Sequence, residues 1–107
     1  RGDVPDDVLA ALVRDQKVEV RKTVAGQEPA PEHVLAILAS DPEAEVRAAV
    51  AYNDYASPDV QAMLAGDPAE AVRRSLAARI VALDAGALEL LVVDPAPSVR
   101  AELAANY

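Results

Sequence analysis

The dipeptide Val-Arg recurs at regular intervals of 26, 26 and 27 residues, at Val20-Arg21, Val46-Arg47, Val72-Arg73 and Val99-Arg100. The same columns return around it in each copy. An Asp lies five residues before each Val, at Asp15, Asp41, Asp67 and Asp94, and Pro follows it in three copies, at Pro42, Pro68 and Pro95. Four residues after each Val comes an aliphatic (Val24, Val50, Leu76, Leu103), and Ala follows it (Ala25, Ala51, Ala77, Ala104). Upstream, Val8, Val34, Val60 and Ala87 align, as do Leu12, Leu38, Leu64 and Leu91. A fixed period of this length is the mark of like units stacked on one another.

The columns have physical meanings. Asp followed by Pro reads as a helix start: the carboxylate caps free N–H groups, and Pro is tolerated at the first helical position. Asp67 with Glu70 resembles a capping box. The Val and the aliphatic four residues later share one helical face, and the positions between them vary as an exposed face should. Pro5, Pro31 and Pro58 open a second short helix upstream, with Ser57 and Asp84 as candidate caps. Each copy therefore reads as helix, turn, helix, turn, over roughly residues 5–30, 31–57, 58–83 and 84–107 of a single helical-repeat domain. The period allows each helix only two to three turns, and one of the two is expected to be 3₁₀-like. Helices this short persist only by stacking. A β-solenoid is disfavoured, because no long period-2 alternation occurs and Ala is a poor strand former.

Composition agrees. Apolar residues make up 52% of the chain, but they are mostly Ala, Val and Leu, with no Phe or Trp and three Tyr. Such small side chains suit thin, similar layers. The formal net charge of −8 disfavours nucleic acid and anionic membranes as partners. There is no Cys, so there is no disulfide framework or thiolate metal site. No apolar run approaches the roughly 20 residues of a membrane span, and no signal-peptide pattern appears, so a cytoplasmic location is expected. The abundance of Ala and of Arg over Lys hints at a GC-rich bacterial genome. The chain opens at Arg1-Gly2-Asp3 rather than Met and reads as part of a longer array or protein; the integrin-type tripeptide there reads as coincidence.

The string LASDPEAEVRAAVAYN, residues 38–53, resembles the leucine-rich repeat variant (LRV) family, and the resemblance extends over about residues 4–107. It implies a right-handed superhelix of alternating α- and 3₁₀-helices without strands, and it places Asn53 and Asn106 at the Asn that follows the family's second helix. Gln27 and Arg79 stand there in the first and third copies. The third junction, Arg79-Ile80-Val81-Ala82-Leu83-Asp84, lacks the usual Pro, and a longer or reoriented helix is expected there. The family's type protein holds an iron–sulfur cluster on an N-terminal Cys group; with no Cys here, no cofactor carries over. HEAT-like repeats are the neighbouring alternative, but their period is longer, about 40–47 residues.

The candidate sites are few. His33 is the only His and reads as a solvated surface residue. Asp3, Asp6 and Asp7 form an acidic cluster that helix-dipole placement explains for the last two. Ser40, Ser57, Ser75 and Ser98 lack a nucleophile elbow or a base partner, and no Gly-rich phosphate loop exists. An enzyme is therefore not expected. Arg21, Arg47, Arg73 and Arg100 should stack as a ladder, bonding helix-end carbonyls or an Asp of a neighbouring copy; the competing reading is an anion-binding stripe for nucleic acid or an acidic peptide. Tyr52, Asn53, Tyr55 and Tyr107 mark an edge suited to a contact ridge, because Tyr is enriched at interface hot spots. The sequence thus points to an all-α, right-handed solenoid of about four 26-residue helix–turn–helix repeats, acting as a non-enzymatic scaffold for a protein or peptide partner. A spacer within a larger protein is the remaining alternative. Uncapped end layers at Val8, Leu12, Val99 and Leu103 would favour end-to-end self-association.

Overall fold

The computed structural model describes residues 5–79 and 82–107. Within them the chain is all-helical, with no strand: α1 (Asp6–Leu12), α2 (Val18–Ala25), α3 (Glu32–Leu38), α4 (Ala44–Tyr52), α5 (Pro58–Ala65), α6 (Glu70–Ala77), α7 (Ala85–Val92) and α8 (Pro97–Asn106). The even helices pack in order, α2 on α4, α4 on α6 and α6 on α8, and consecutive helices pack from α1 to α6 and again at α7 and α8. Among the odd helices, α5 and α7 pack closely side by side. The extents are 38 × 22 × 20 Å. No helix among the described residues is long and apolar enough to cross a membrane.

The recurring aliphatic columns form the core. Val46, Val50, Val72, Leu76, Val99, Val34, Leu64 and Leu91 are all 0% exposed. Ala25, Ala51 and Ala77 are also fully buried. Their small side chains allow neighbouring even helices to approach closely, since interaxial distance follows side-chain size at the contact. The first copy is looser: Val8 is 42% exposed, and Leu12 and Val20 are half-buried. At the other end the expected exposure of Val99 and Leu103 is not found. Both are buried beneath α6 and α7, and Leu90, Val92 and Val93 are the exposed apolar residues instead.

Three local expectations are corrected. The short helices are α-helical, not 3₁₀. In α3, Leu35 N–H donates to Pro31 O and Ala39 N–H to Leu35 O, and the tighter i→i+3 bonds (Ser40 to Ile37, Asp41 to Leu38) appear where the helix ends, as is usual at a C-terminus. The Asp of the Asp-Pro pair is not the helix cap. The N-caps are Lys17, Glu43, Ala69 and Ala96, all without a side-chain cap bond. Asp15, Asp41, Asp67 and Asp94 sit two residues earlier and accept the N-cap's own N–H at 2.8–2.9 Å, closing an Asx turn before the helix. Asp67 and Glu70 consequently form no capping box; Glu70 accepts from the Ser98 hydroxyl of the next copy. Finally, α6 and α7 flank the third junction at eight residues each, so neither is lengthened; Ile80 and Val81 lie outside the described residues. Ser57 and Asp84 do cap α5 and α7, accepting from Val60 N–H and Gly86 N–H.

Val46 lies in α4, between α2 and α6, with no exposure. Val46→Asp places an unpaired carboxylate there, at a cost of several kcal/mol against a total stability of about 5–15 kcal/mol. The expected outcome is loss of the cooperative thermal transition followed by circular dichroism. A variant that melts with the parent would contradict the column assignment.

Candidate functional site

The recurring polar columns meet between copies. Arg21 Nε donates to Asp41 Oδ1 at 2.7 Å and Nη2 to Asp41 Oδ2 at 3.3 Å. Arg47 pairs with Asp67 in the same way at 2.8 and 3.2 Å, and Arg73 with Asp94 at 2.8 and 3.4 Å. Each Arg also turns Nη1 back onto the carbonyl of its own copy's Asp: Asp15, Asp41 and Asp67, at 2.7–2.8 Å. The planar guanidinium fork matches a carboxylate bidentately, and the third nitrogen is met as well. These Arg side chains are 13–15% exposed and their Asp partners 3–5%. The Asp41 hydrogen bond holds the Arg21 guanidinium above its ordinary pKa, and Asp67 does the same for Arg47; desolvation opposes the shift in both. Arg100 keeps the carbonyl bond to Asp94 but has no carboxylate partner among the described residues.

A second set of struts bridges the turns. Asn53 is 2% exposed; its amide donates to Ala25 O at 2.8 Å and Gln27 O at 2.7 Å, and its Oδ1 accepts from Tyr55 N–H. This removes Asn53 from the proposed contact ridge and makes it a strut between the first and second copies. Arg79 takes the corresponding place in the third copy. It is 2% exposed and reaches Asp54 O at 3.2 Å, while its Nε and Nη1, and Asp54 Oδ1, are buried without hydrogen bonds. Asn106 does not repeat the Asn53 geometry; it is exposed and bonds Glu102 one turn back. In the fourth copy the reach backward is made by Tyr107, whose hydroxyl accepts from Leu83 N–H at 2.8 Å.

Of the ridge residues, Tyr52 and Tyr55 are about half exposed, at 48% and 52%, and Tyr107 is both exposed and tied to the third junction. His33 is exposed. Among the described residues no group of three or more His, Asp or Glu could hold a metal. Asp6 and Asp7 occupy the first turn of α1, and Asp3 lies outside the described residues.

One surface feature escaped the reading of the sequence. Ile37, Met63 and Leu90 occupy the same position in α3, α5 and α7, 26 and 27 residues apart. They are 42%, 45% and 49% exposed, although their neighbours Leu38, Leu64 and Leu91 are buried. Large apolar residues recur here on the outward side of the odd helices. The signal is present in the sequence, as a third aliphatic column beside the two buried ones.

Two stability outcomes follow. Asp67→Ala leaves the Arg47 fork unpaired and the Ala69 N–H uncapped, and is expected to cost about 3 kcal/mol. In a double-mutant cycle with Arg47→Met by urea denaturation, the coupling should exceed the ~1 kcal/mol ceiling of exposed pairs; a coupling near zero would show the joint to be incidental. Arg79→Asn removes a buried, under-bonded guanidinium and recreates the Asn53 strut, and should stabilise the chain by about 1–2 kcal/mol; a lower melting temperature would refute that equivalence. No protein-family model, curated protein sequence or solved structure was found to match the chain.

Proposed function

We propose that this chain is a non-enzymatic protein-interaction scaffold: a right-handed solenoid of four LRV-like helix–turn–helix repeats that holds a protein or peptide partner along one face. The observation that carries the reading is the column Ile37, Met63 and Leu90, which repeats with the period of the core but remains about half exposed. Large apolar side chains exposed at one recurring helical position offer a protein partner a repeated apolar contact. Tyr52 and Tyr55 offer further aromatic contact area.

The polar columns support the same reading. A residue type that recurs in every copy serves either the partner or the stack. The recurring Asp and Arg serve the stack, since Arg21, Arg47 and Arg73 are engaged with carboxylates and carbonyls. This leaves the outward apolar column for the partner. A nucleic-acid or acidic-peptide role for the Arg column draws no support from guanidinium groups so committed, nor from a net charge of −8.

The test is affinity capture from lysate of the source cells at low and high salt, with the parent, Met63→Lys with Leu90→Lys, and Tyr52→Ala with Tyr55→Ala. All positions changed are about half exposed, so unfolding free energies should stay within about 0.5 kcal/mol per site of the parent. A protein partner retained at high salt and lost in the Lys variant is the expected result. Nucleic acid recovered only at low salt, or no partner under either condition, would overturn the reading, the second outcome favouring a spacer role.

A further inference from the structure

The odd and even helices differ in charge. The odd helices α1, α3, α5 and α7 contain no Lys or Arg, and His33 is their one basic side chain. Arg and Lys recur instead in the even helices, at Arg21, Lys22, Arg47, Arg73, Arg74 and Arg100. The odd helices carry Asp6, Asp7, Glu32, Asp59 and Glu89, all exposed, and among the described residues none of them joins an ion pair. The helix dipole accounts for part of this. Asp6, Asp7, Glu32 and Asp59 stand in first turns, where a carboxylate is favourable. The dipole does not account for Glu89, in the second half of α7. Nor does it account for the lack of Lys and Arg in the last turns of the odd helices, where it favours them and where α2 and α6 place Lys22 and Arg74.

Two of these carboxylates adjoin the exposed apolar position. Asp59 lies four residues before Met63, on the same side of α5. Glu89 directly precedes Leu90, and Val93 follows Leu90 by three residues on the same side of α7. Because α5 and α7 pack side by side, adjoining helices present Met63, Leu90 and Val93, at 45%, 49% and 74% exposure, together with Asp59 and Glu89. Met63 and Ile37 each have copies of the repeat before and after them in the chain. Their exposure therefore belongs to the helical position and does not depend on what adjoins the first or the last copy.

We infer that this face docks a basic amphipathic segment of another protein, whose apolar side chains cover Met63, Leu90 and Val93 while its Lys and Arg meet Asp59 and Glu89. The occupant is selected by charge: a face with exposed carboxylates and no Lys or Arg favours a cationic partner and repels an anionic one. A second copy of this chain offering the same face would bring like charges together. Anionic lipid and nucleic acid are disfavoured for the same reason. The inference rests on reading the exposed apolar position as a partner's contact, and it adds the chemistry of that partner.

The test measures the binding of synthetic helical peptides of one length by fluorescence anisotropy at physiological ionic strength. One peptide has an apolar face flanked by Lys. A second has the same face flanked by Glu, and a third has the Lys flanks with Ser in place of the apolar residues. The Lys-flanked amphipathic peptide is expected to bind at least about tenfold more tightly than either of the others. Met63→Ser with Leu90→Ser, and Asp59→Lys with Glu89→Lys, should each weaken its binding about tenfold. Glu19→Lys with Glu45→Lys makes the same change in net charge on the even helices and should leave binding within about twofold of the parent. All positions changed are exposed, and circular dichroism checks that each variant remains folded. Absence of binding by the Lys-flanked peptide, binding that survives either odd-helix variant, or an equal loss in the even-helix variant would each overturn the proposal. A Glu-flanked peptide that binds as tightly, and is lost in Met63→Ser with Leu90→Ser, would overturn it while leaving the scaffold reading in place. Self-association of the chain that this same variant abolishes would name a second copy as the occupant and overturn it as well.

Discussion

The bidentate pairing of an Arg with the Asp of the following copy is the interaction on which the rest of the structure depends. An ion pair removed from water is costly unless its remaining donors and acceptors are met. Here the third guanidinium nitrogen binds a carbonyl and the carboxylate also closes its own turn. Each Asp therefore shapes the entry to a helix and fixes where the previous copy sits. The pairing also tolerates a change in spacing. The third pair is 21 residues apart in sequence where the others are 20, yet its Nε contact keeps the 2.8 Å of its neighbour. The extra residue falls in the sequence between α6 and α7, ahead of Asp94.

Around this joint the side chains are small for a reason. Fully buried Ala25, Ala51 and Ala77 lie one position past the core aliphatics, and a larger residue there would push the even helices apart. The turns between copies are less uniform. Asn53, Arg79 and Tyr107 each reach backward, by an amide, a guanidinium and a phenol. The Asn amide matches two carbonyls with two donors, whereas Arg79 leaves two nitrogens unbonded in a buried place. The joints thus share one ion-pair design and differ in the quality of their second strut.

Much of the helical pattern was legible in the sequence, because the core columns recur at fixed intervals and Ser57 and Asp84 announce their helices. The Asp and Arg columns were also visible as mutual partners, since opposite charges recurring at one period in a stack have few other places to go. What was not legible depended on offsets of one or two residues. Asp-Pro signals a helix start, but the chain makes an Asx turn first and begins the helix three residues after the Asp, which moves the cap from Asp41 to Glu43. Asn53 appeared as a surface residue because a polar side chain at a turn usually is one; only the nearby carbonyls of Ala25 and Gln27, brought close by stacking, make its burial favourable. Ile37, Met63 and Leu90 were passed over because aliphatic residues in a short helix are read as core, and burial distinguishes them from Leu38, Leu64 and Leu91 only once the helices are placed.

The ion-pair joint has a direction. In each of the three pairs the Arg belongs to the earlier copy and the Asp to the later one, so the stack is a vector with distinguishable ends. A partner laid along the Ile37, Met63 and Leu90 column would meet Ile, then Met, then Leu in fixed order. An asymmetric ligand bound as proposed would thus have a preferred polarity, set by the order of the helices before any residue on their surface is considered.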